Sequence, residues 1–460
     1  MGSWTSKVGA VLGLAALLGT SSAVAATPAG KAELLFTDRS DNVAETNISP
    51  EEQRLLNLID LETVAIKASI DGLGRGNVVD RLIAAHRRGV VVQVTADCQI
   101  VVADANPLYK QMMDAGIPVV DDNNTYDGPT VDPGCTSRET SGFVHNKFFI
   151  FKGQQTVWTG STNMTDYAFN SAQNAILILS GNPEVVGFYE AEFNHMFGNG
   201  LSLRSGGTGK FGQQKTLKPG IGQFTLADGT AVEVAFSPYN YTTTPDTLAQ
   251  LNRTIDGATS ELLWTVYQFT YDDVRLKLDG NLSASKRGIV DPSATTNSDD
   301  TSLLISGGEK VLVTNFLGAN HWKLIISNPN ASGGQVLVGS HNFTSSSFNY
   351  NNENSVRLLS PTLAGTAKAE FDVVWSDPQN TGLVGCIHSA ESYNENSKAL
   401  HRCNDAYDND YDGKSDSADA DCSKPFVCGA STCKASGATC STGAECCSGT
   451  CYNGKTKYCK

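Results

Sequence analysis

The sequence predicts an α/β protein made of two repeated halves and a small disulfide-rich tail. Three observations carry this expectation. Apolar strand-like runs alternate with amphipathic helix-like segments over most of the chain, the same series of segments recurs in its second part, and ten of the 12 Cys lie from Cys386 onward. Alternation of this kind implies a βα-rich sandwich with helices on both sheet faces.

The chain opens on a segment that reads as an export signal. Lys7 gives a positive start, Val8 to Leu18 is almost wholly apolar, and Ala23-Val24-Ala25 offers a small-x-small cleavage site. The apolar run is short for a membrane span, so residues 1–25 are expected to be a cleaved leader and the protein to be secreted, extracellular or at the cell surface. The cysteine content fits an oxidising compartment.

The first half (26–200) begins with a strand, Glu33-Leu34-Leu35-Phe36-Thr37. A helix with Leu55, Leu56, Leu58 and Ile59 on its apolar side follows, then a buried-strand run from Val64 to Ile70. A second helix carries Val78, Val79, Leu82, Ile83 and Ala84, and a basic turn at Gly89 leads into a β-branched strand. Residues 198–229 contain nine Gly and little periodicity, so 201–230 reads as a linker. The second half (231–385) repeats the plan with Glu233-Val234-Ala235-Phe236-Ser237, a helix through Leu248, Leu251 and Ile255, and a strand run from Glu261 to Phe269. Lys286-Arg287-Gly288-Ile289 is a degenerate echo of the basic turn.

Each half also carries a short polar constellation. The first is Val144-His145-Asn146-Lys147-Phe148 followed by Gly160-Ser161-Thr162-Asn163, and the second is Asn320-His321-Trp322-Lys323-Leu324 followed by Gly339-Ser340-His341-Asn342. On a strand, residues two apart share a face, so each His points the same way as its Lys. Gly permits a tight turn, and the hydroxyls of Ser161 and Ser340, the amides of Asn163 and Asn342, and nearby backbone N–H groups are expected to donate to an oxyanion. These are the groups that phosphodiester cleavage needs. One imidazole attacks phosphorus, a second protonates the leaving oxygen, and lysines and amides balance the charge without a metal cofactor.

The doubled His-x-Lys and Gly-Ser-x-Asn pattern closely resembles the phospholipase D superfamily, over roughly residues 33–375. The resemblance implies two phospholipase D-like halves about a pseudo-twofold axis, with one His from each meeting in a single active site. It also implies a catalytic core that is monomeric, as an internal pseudo-dimer. The family's usual Asp after each His-x-Lys is replaced by Lys152 and Asn328. Its downstream acid is Glu353 in the second copy, and the first-copy counterpart is read as Gln173, a split similar to that of the tyrosyl-DNA phosphodiesterases. In the family this acid reaches the His of the opposite half. His145 is therefore expected to be the nucleophile, oriented by Glu353, and His321 the general acid and base near Gln173. His341 lies in a variable motif position and is expected at most to line the pocket.

The tail holds two further motifs. Asp408, Asp410, Asp412, Asp416 and Asp419, with Gly413, match the spacing of an EF-hand-like calcium loop within 403–422, so a structural Ca2+ is expected there. The rival reading is a solvated acidic linker. Residues 428–460 carry Cys433, Cys440, Cys446, Cys447, Cys451 and Cys459. Spacing alone leaves 15 connectivities open. The module resembles a knottin, which implies Cys433–Cys447, Cys440–Cys451 and Cys446–Cys459, and its expected role is surface attachment, partner binding or protease resistance. Cys98 with Cys135 is a candidate bridge near the first half.

A formal charge of -14 argues against broad nucleic-acid binding. The expected function is thus secreted phospholipase D-type hydrolysis, or transfer to an alcohol, at a phosphodiester of a phospholipid. A secreted endonuclease and a decayed cell-surface binding protein are the alternatives.

Overall fold

The structure is a computed structural model of the chain, and it describes residues 30–37, 47–103, 105–122, 142–202, 205–239, 244–296, 300–301, 304, 309–314 and 319–377, with four short strands in the tail. The expected leader and the Asp-rich loop lie outside the described residues, as does most of the expected knottin-like module.

Local signals start the helices where the sequence places them. In α1 (Pro50–Leu61) the Ser49 hydroxyl accepts from Glu52 N–H, Pro50 opens the first turn, and Leu55, Leu56, Leu58 and Ile59 form the buried face. In α2 (Gly76–Arg87) Val78, Val79, Leu82 and Ile83 do the same. Helices α3 (Pro107–Asp114), α4 (Pro183–Phe197), α5 (Asp246–Asp256), α6 (Asp272–Gly280) and α7 (Pro361–Trp375) complete the main set.

The first sheet contains β1 (Lys31–Phe36), β2 (Ala65–Ile70), β3 (Val91–Ala96), β4 (Val119–Asp121), β5 (Lys147–Phe151), β6 (Thr156–Gly160) and β7 (Ala175–Ser180), in the order β1-β7-β6-β5-β2-β3-β4. The second contains β8 (Gly222–Thr225), β9 (Ala231–Ser237), β10 (Glu261–Val266), β11 (Ser285–Val290), β12 (Lys310–Val313), β13 (Lys323–Ser327), β14 (Gln335–Gly339) and β15 (Glu353–Leu359). Its order, β12-β11-β10-β13-β14-β15-β9-β8, repeats the first sheet with β8 added at one edge. In both, the inner strands pair antiparallel, while β2-β3-β4 and β10-β11-β12 run parallel.

Period-two alternation divides the core. Along β5, Phe148 and Ile150 enter a cluster shared with Leu324, Ile326, Val336 and Val356 of the second sheet, whereas Phe149 and Phe151 pack under α1 and α2. The two sheets therefore face one another, and each has a second core on its outer side.

Two expectations are revised, and a third is met only in part within the described residues. The Gly-rich segment is not a free linker: β8 joins the second sheet, and Lys215 is buried against Glu192 of α4 at 2.6 Å. Gly288 is not at a turn but inside β11, where Trp264 covers it so closely that a Cβ would collide with the indole. Cys98 is buried and disulfide-bonded, and Cys135, its expected partner, lies outside the described residues. In the tail, Cys386–Ile387 pairs with Val427–Cys428 and Cys451–Asn453 with Lys457–Cys459.

Candidate active site

The His-x-Lys segments start the central strands β5 and β13, and the two halves meet at them by reciprocal backbone hydrogen bonds. His145 N–H donates to Asn352 O, and His321 N–H donates to Gln173 O, each at 3.0 Å. A buried carboxylate anchors each lead-in: Asp97 accepts from Val144 N–H and Asp291 from Asn320 N–H. The first half thus presents His145 to residues of the second, and the second presents His321 to residues of the first.

The ring partners differ. His145 Nδ1 donates to Glu353 Oε2 at 2.7 Å. Burial works to raise the Glu353 pKa, but the charge and hydrogen bond of His145, backed by His341 and Lys147, more than offset this and hold it below the ordinary 4.5. His321 Nδ1 donates to Asn174 Oδ1 at 2.8 Å. The Asn174 amide is oriented by its own bonds, its Nδ2 donating to Ala168 O while Oδ1 also accepts from Ser161 Oγ. Both rings are therefore held with the proton on Nδ1, which leaves each Nε2 for chemistry.

This corrects the sequence reading by one residue. Gln173 supplies backbone bonds beside His321, but the side chain that faces the imidazole belongs to Asn174. Asn174 stands as far after Ser161 as Glu353 stands after Ser340, so counting from the Gly-Ser-x-Asn serines would have found it.

The serines are a second correction. Ser161 Oγ donates to Asn174 and accepts from Ala175 N–H; Ser340 Oγ donates to Asn354 O and accepts from Asn354 N–H. Both hydroxyls brace the site and are not aimed at an oxyanion. The motif glycines serve close approach, since a Cβ on Gly160 or Gly339 would strike the carbonyl of Ala175 or Asn354. Of the motif asparagines, Asn342 Oδ1 accepts from Gln268 N–H. Asn163 packs against Gly72 at the equivalent position of the first half.

Lys147 and Lys323 are both buried, and each Nζ donates to the carbonyl of its own His, at 2.8 and 2.9 Å. Lys147 also donates to Asp71 Oδ2 at 3.1 Å. Lys323 instead lies 5.4 Å from the ring centroid of Tyr267. Burial first, then the charge of Lys147, holds the Lys323 pKa well below the usual lysine value. His321 is likewise held well below 6.5, by burial and then by Lys323, Lys147 and His145, with a bond to the Ser161 backbone acting the other way. Asp71, Asn174 and Tyr267 are the site residues that sequence reasoning missed. His341 is buried, its ring nitrogens bonded with Ser237 Oγ and Asn354 O.

The missing family Asp residues have structural substitutes. Asn328 Oδ1 accepts from Thr259 N–H and Ser260 N–H, tying the turn before β10 to the end of β13. In the first half Lys152 turns outward to Glu190, and Glu62 takes over, accepting from Val64, Gly153 and Gln154 N–H. Replacing Glu62 by Ala should therefore destabilise the protein by about 3 kcal/mol in a urea titration, because several part-buried N–H groups lose one buried, charged acceptor. Turnover per folded molecule should be retained.

Two interlocked α/β halves, each giving one imidazole and one lysine to a common site, define the phospholipase D superfamily architecture. Residues 64–197 and 251–375, together more than half of the chain, match the family described as "Cardiolipin synthase, PLD-like domain", and the chain belongs to that family. The fold is similar to that of phosphatidylserine synthase from Haemophilus influenzae Rd KW20, with a TM-score of 0.54 at 12% identity over 75% of this chain and 86% of that one. Polyphosphate kinase from Porphyromonas gingivalis aligns with 75% of this chain at a TM-score of 0.48 and 13% identity, and the chain spans 51% of that protein. Nuc from Salmonella typhimurium, a phospholipase D family member, aligns with 32% of this chain and 94% of its own length at 24% identity and a TM-score of 0.28. No curated protein sequence matches the chain. Among the described residues no helix is long and apolar enough to cross a membrane.

Proposed function

We propose that the chain is an exported phosphodiesterase that cleaves a phospholipid, or transfers its phosphoryl group to an alcohol, through a phosphohistidine on His145. The observation that carries this is the pair of imidazoles from opposite halves, each with Nδ1–H tied to the other half, beside two buried lysines and two motif asparagines. His145 Nε2 attacks phosphorus, and the P–O bond to the leaving alcohol breaks as His321 gives it a proton. Glu353 stabilises the cationic phosphoimidazole. Lys147, Lys323, Asn163 and Asn342 balance the charge on the non-bridging oxygens. The neutral His321 then takes a proton from water, or from an alcohol, whose oxygen attacks phosphorus and frees His145. The leader pattern and the cysteine content support export, and the acidic chain with no basic track supports a lipid over a nucleic acid. The Asp-rich tail loop remains a proposed calcium site, apart from the catalysis.

The test is incubation with phosphatidylcholine, cardiolipin and plasmid DNA in parallel, with and without chelator. Lipid cleavage that survives the chelator is expected. Cleavage of DNA alone would replace the lipid by a nucleic acid, and silence on all three with folded protein would favour a binding role.

The acid role of His321 sets the pH dependence. A lowered pKa keeps the proton on His321 only on the acid side of the ordinary imidazole range, so kcat/KM should fall as pH rises, with its midpoint below 6.5. A profile that instead climbs through this region and levels off would give His321 the neutral, attacking role.

A further inference from the structure

The two halves repeat their strands but not the residue that ends one of them at the site. Asp71 follows β2, and Tyr267 follows β10 at the same structural position. The matching bridges fix the equivalence: Leu73 pairs with Met164 beyond the first Gly-Ser-x-Asn, and Phe269 with Phe343 beyond the second. Asp71 is buried, its Oδ2 accepting from Lys147 Nζ at 3.1 Å and standing 3.9 Å from His145 Nε2. Tyr267 brings no charge; its ring lies 5.1 Å, centroid to centroid, from that of His321. One side of the pocket is therefore a carboxylate against the attacking nitrogen, and the other is an aromatic wall.

A carboxylate in that place opposes any anion that reaches His145, and the opposition grows with the anion's charge. A phosphodiester carries one negative charge, whereas a phosphomonoester above its second pKa, about 6, carries close to two. We propose that Asp71 is a specificity residue that disfavours dianionic phosphomonoesters, so that the site accepts a diester and sheds the monoester made by hydrolysis. This rests on the phosphodiesterase reading above. At an effective dielectric near that of a protein surface, one extra unit charge a few ångströms away changes affinity by roughly tenfold or more. The pairing of Asp71 with Lys147 fits the same role, because a bound phosphate must share that ammonium with the carboxylate.

The experiment is a calorimetric titration of the full chain with inorganic phosphate and with dimethyl phosphate, both at pH 8. Asp71→Asn is expected to tighten inorganic phosphate about tenfold more than dimethyl phosphate, and Asp71→Glu to behave as the parent protein. Equal tightening of both anions, or none, would overturn the proposal. Should Asp71→Asn fail to fold, Tyr267→Asp decides instead. A second carboxylate must weaken inorganic phosphate more than dimethyl phosphate, and equal weakening rejects the idea. Binding is read without turnover, so a protein that discriminates between the anions but cleaves no diester would sink only the phosphodiesterase reading.

Discussion

Replacing His321 by Ala should leave a protein that cleaves a p-nitrophenyl phosphodiester once and then stops. Nitrophenolate is a good leaving group and needs no proton, so attack by His145 survives the change. Hydrolysis of the phosphohistidine needs a base to activate water, and that base is gone. A burst of about one equivalent of nitrophenolate is expected, followed by a steady rate lowered by roughly 10²–10⁴. His145→Ala should give no burst and only the background rate. The double variant should be no slower than His145→Ala alone, because the two imidazoles serve one pathway. A burst that persists in His145→Ala would show that the second half supplies the nucleophile.

The second large effect is expected at Glu353. Glu353→Gln nearly preserves shape but removes the buried charge that His145 Nδ1–H meets at 2.7 Å. An amide can turn its NH2 toward the ring and put the proton on the wrong nitrogen, and it does not stabilise a cationic phosphoimidazole. A loss of about 10²–10⁴ in kcat is expected, measured on the same chromogenic diester. The reciprocal change, Asn174→Asp, places a charge on His321. It should raise the His321 pKa and move the fall in kcat/KM to higher pH. If Glu353→Gln left kcat unchanged while Asn174→Asp abolished it, the division of labour between the halves would be reversed.

Much of this site is legible in the sequence because it is written twice. His145, Lys147 and Asn163 recur as His321, Lys323 and Asn342, and the structure brings the two sets together through β5 and β13. The core strands are legible for the same reason that β5 is: a buried run of Phe and Ile with one charged exception. Other features depend on register. The segments containing Gln173 and Glu353 look alike, and a one-residue slip on a strand changes which side chain faces the imidazole. Asp71 and Tyr267 carry no motif; each reaches the pocket only because β2 and β10 lie beside the central strands. The role of Glu62 was hidden too, since the acid that replaces a motif Asp comes from a turn on the neighbouring strand. The serines were misread because a hydroxyl beside an expected anion site looks like a donor to it until its own bonds are known.

In the proposed mechanism His145 carries the phosphoryl group. The measurement is to mix His321→Ala with a p-nitrophenyl phosphodiester, quench in alkali, which preserves phosphohistidine, and map the peptides by mass spectrometry. The phosphoryl adduct is expected on the peptide that contains His145. An adduct on the peptide containing His321 when His145→Ala is treated in the same way, or no adduct on either histidine while turnover proceeds in the parent protein, would contradict it.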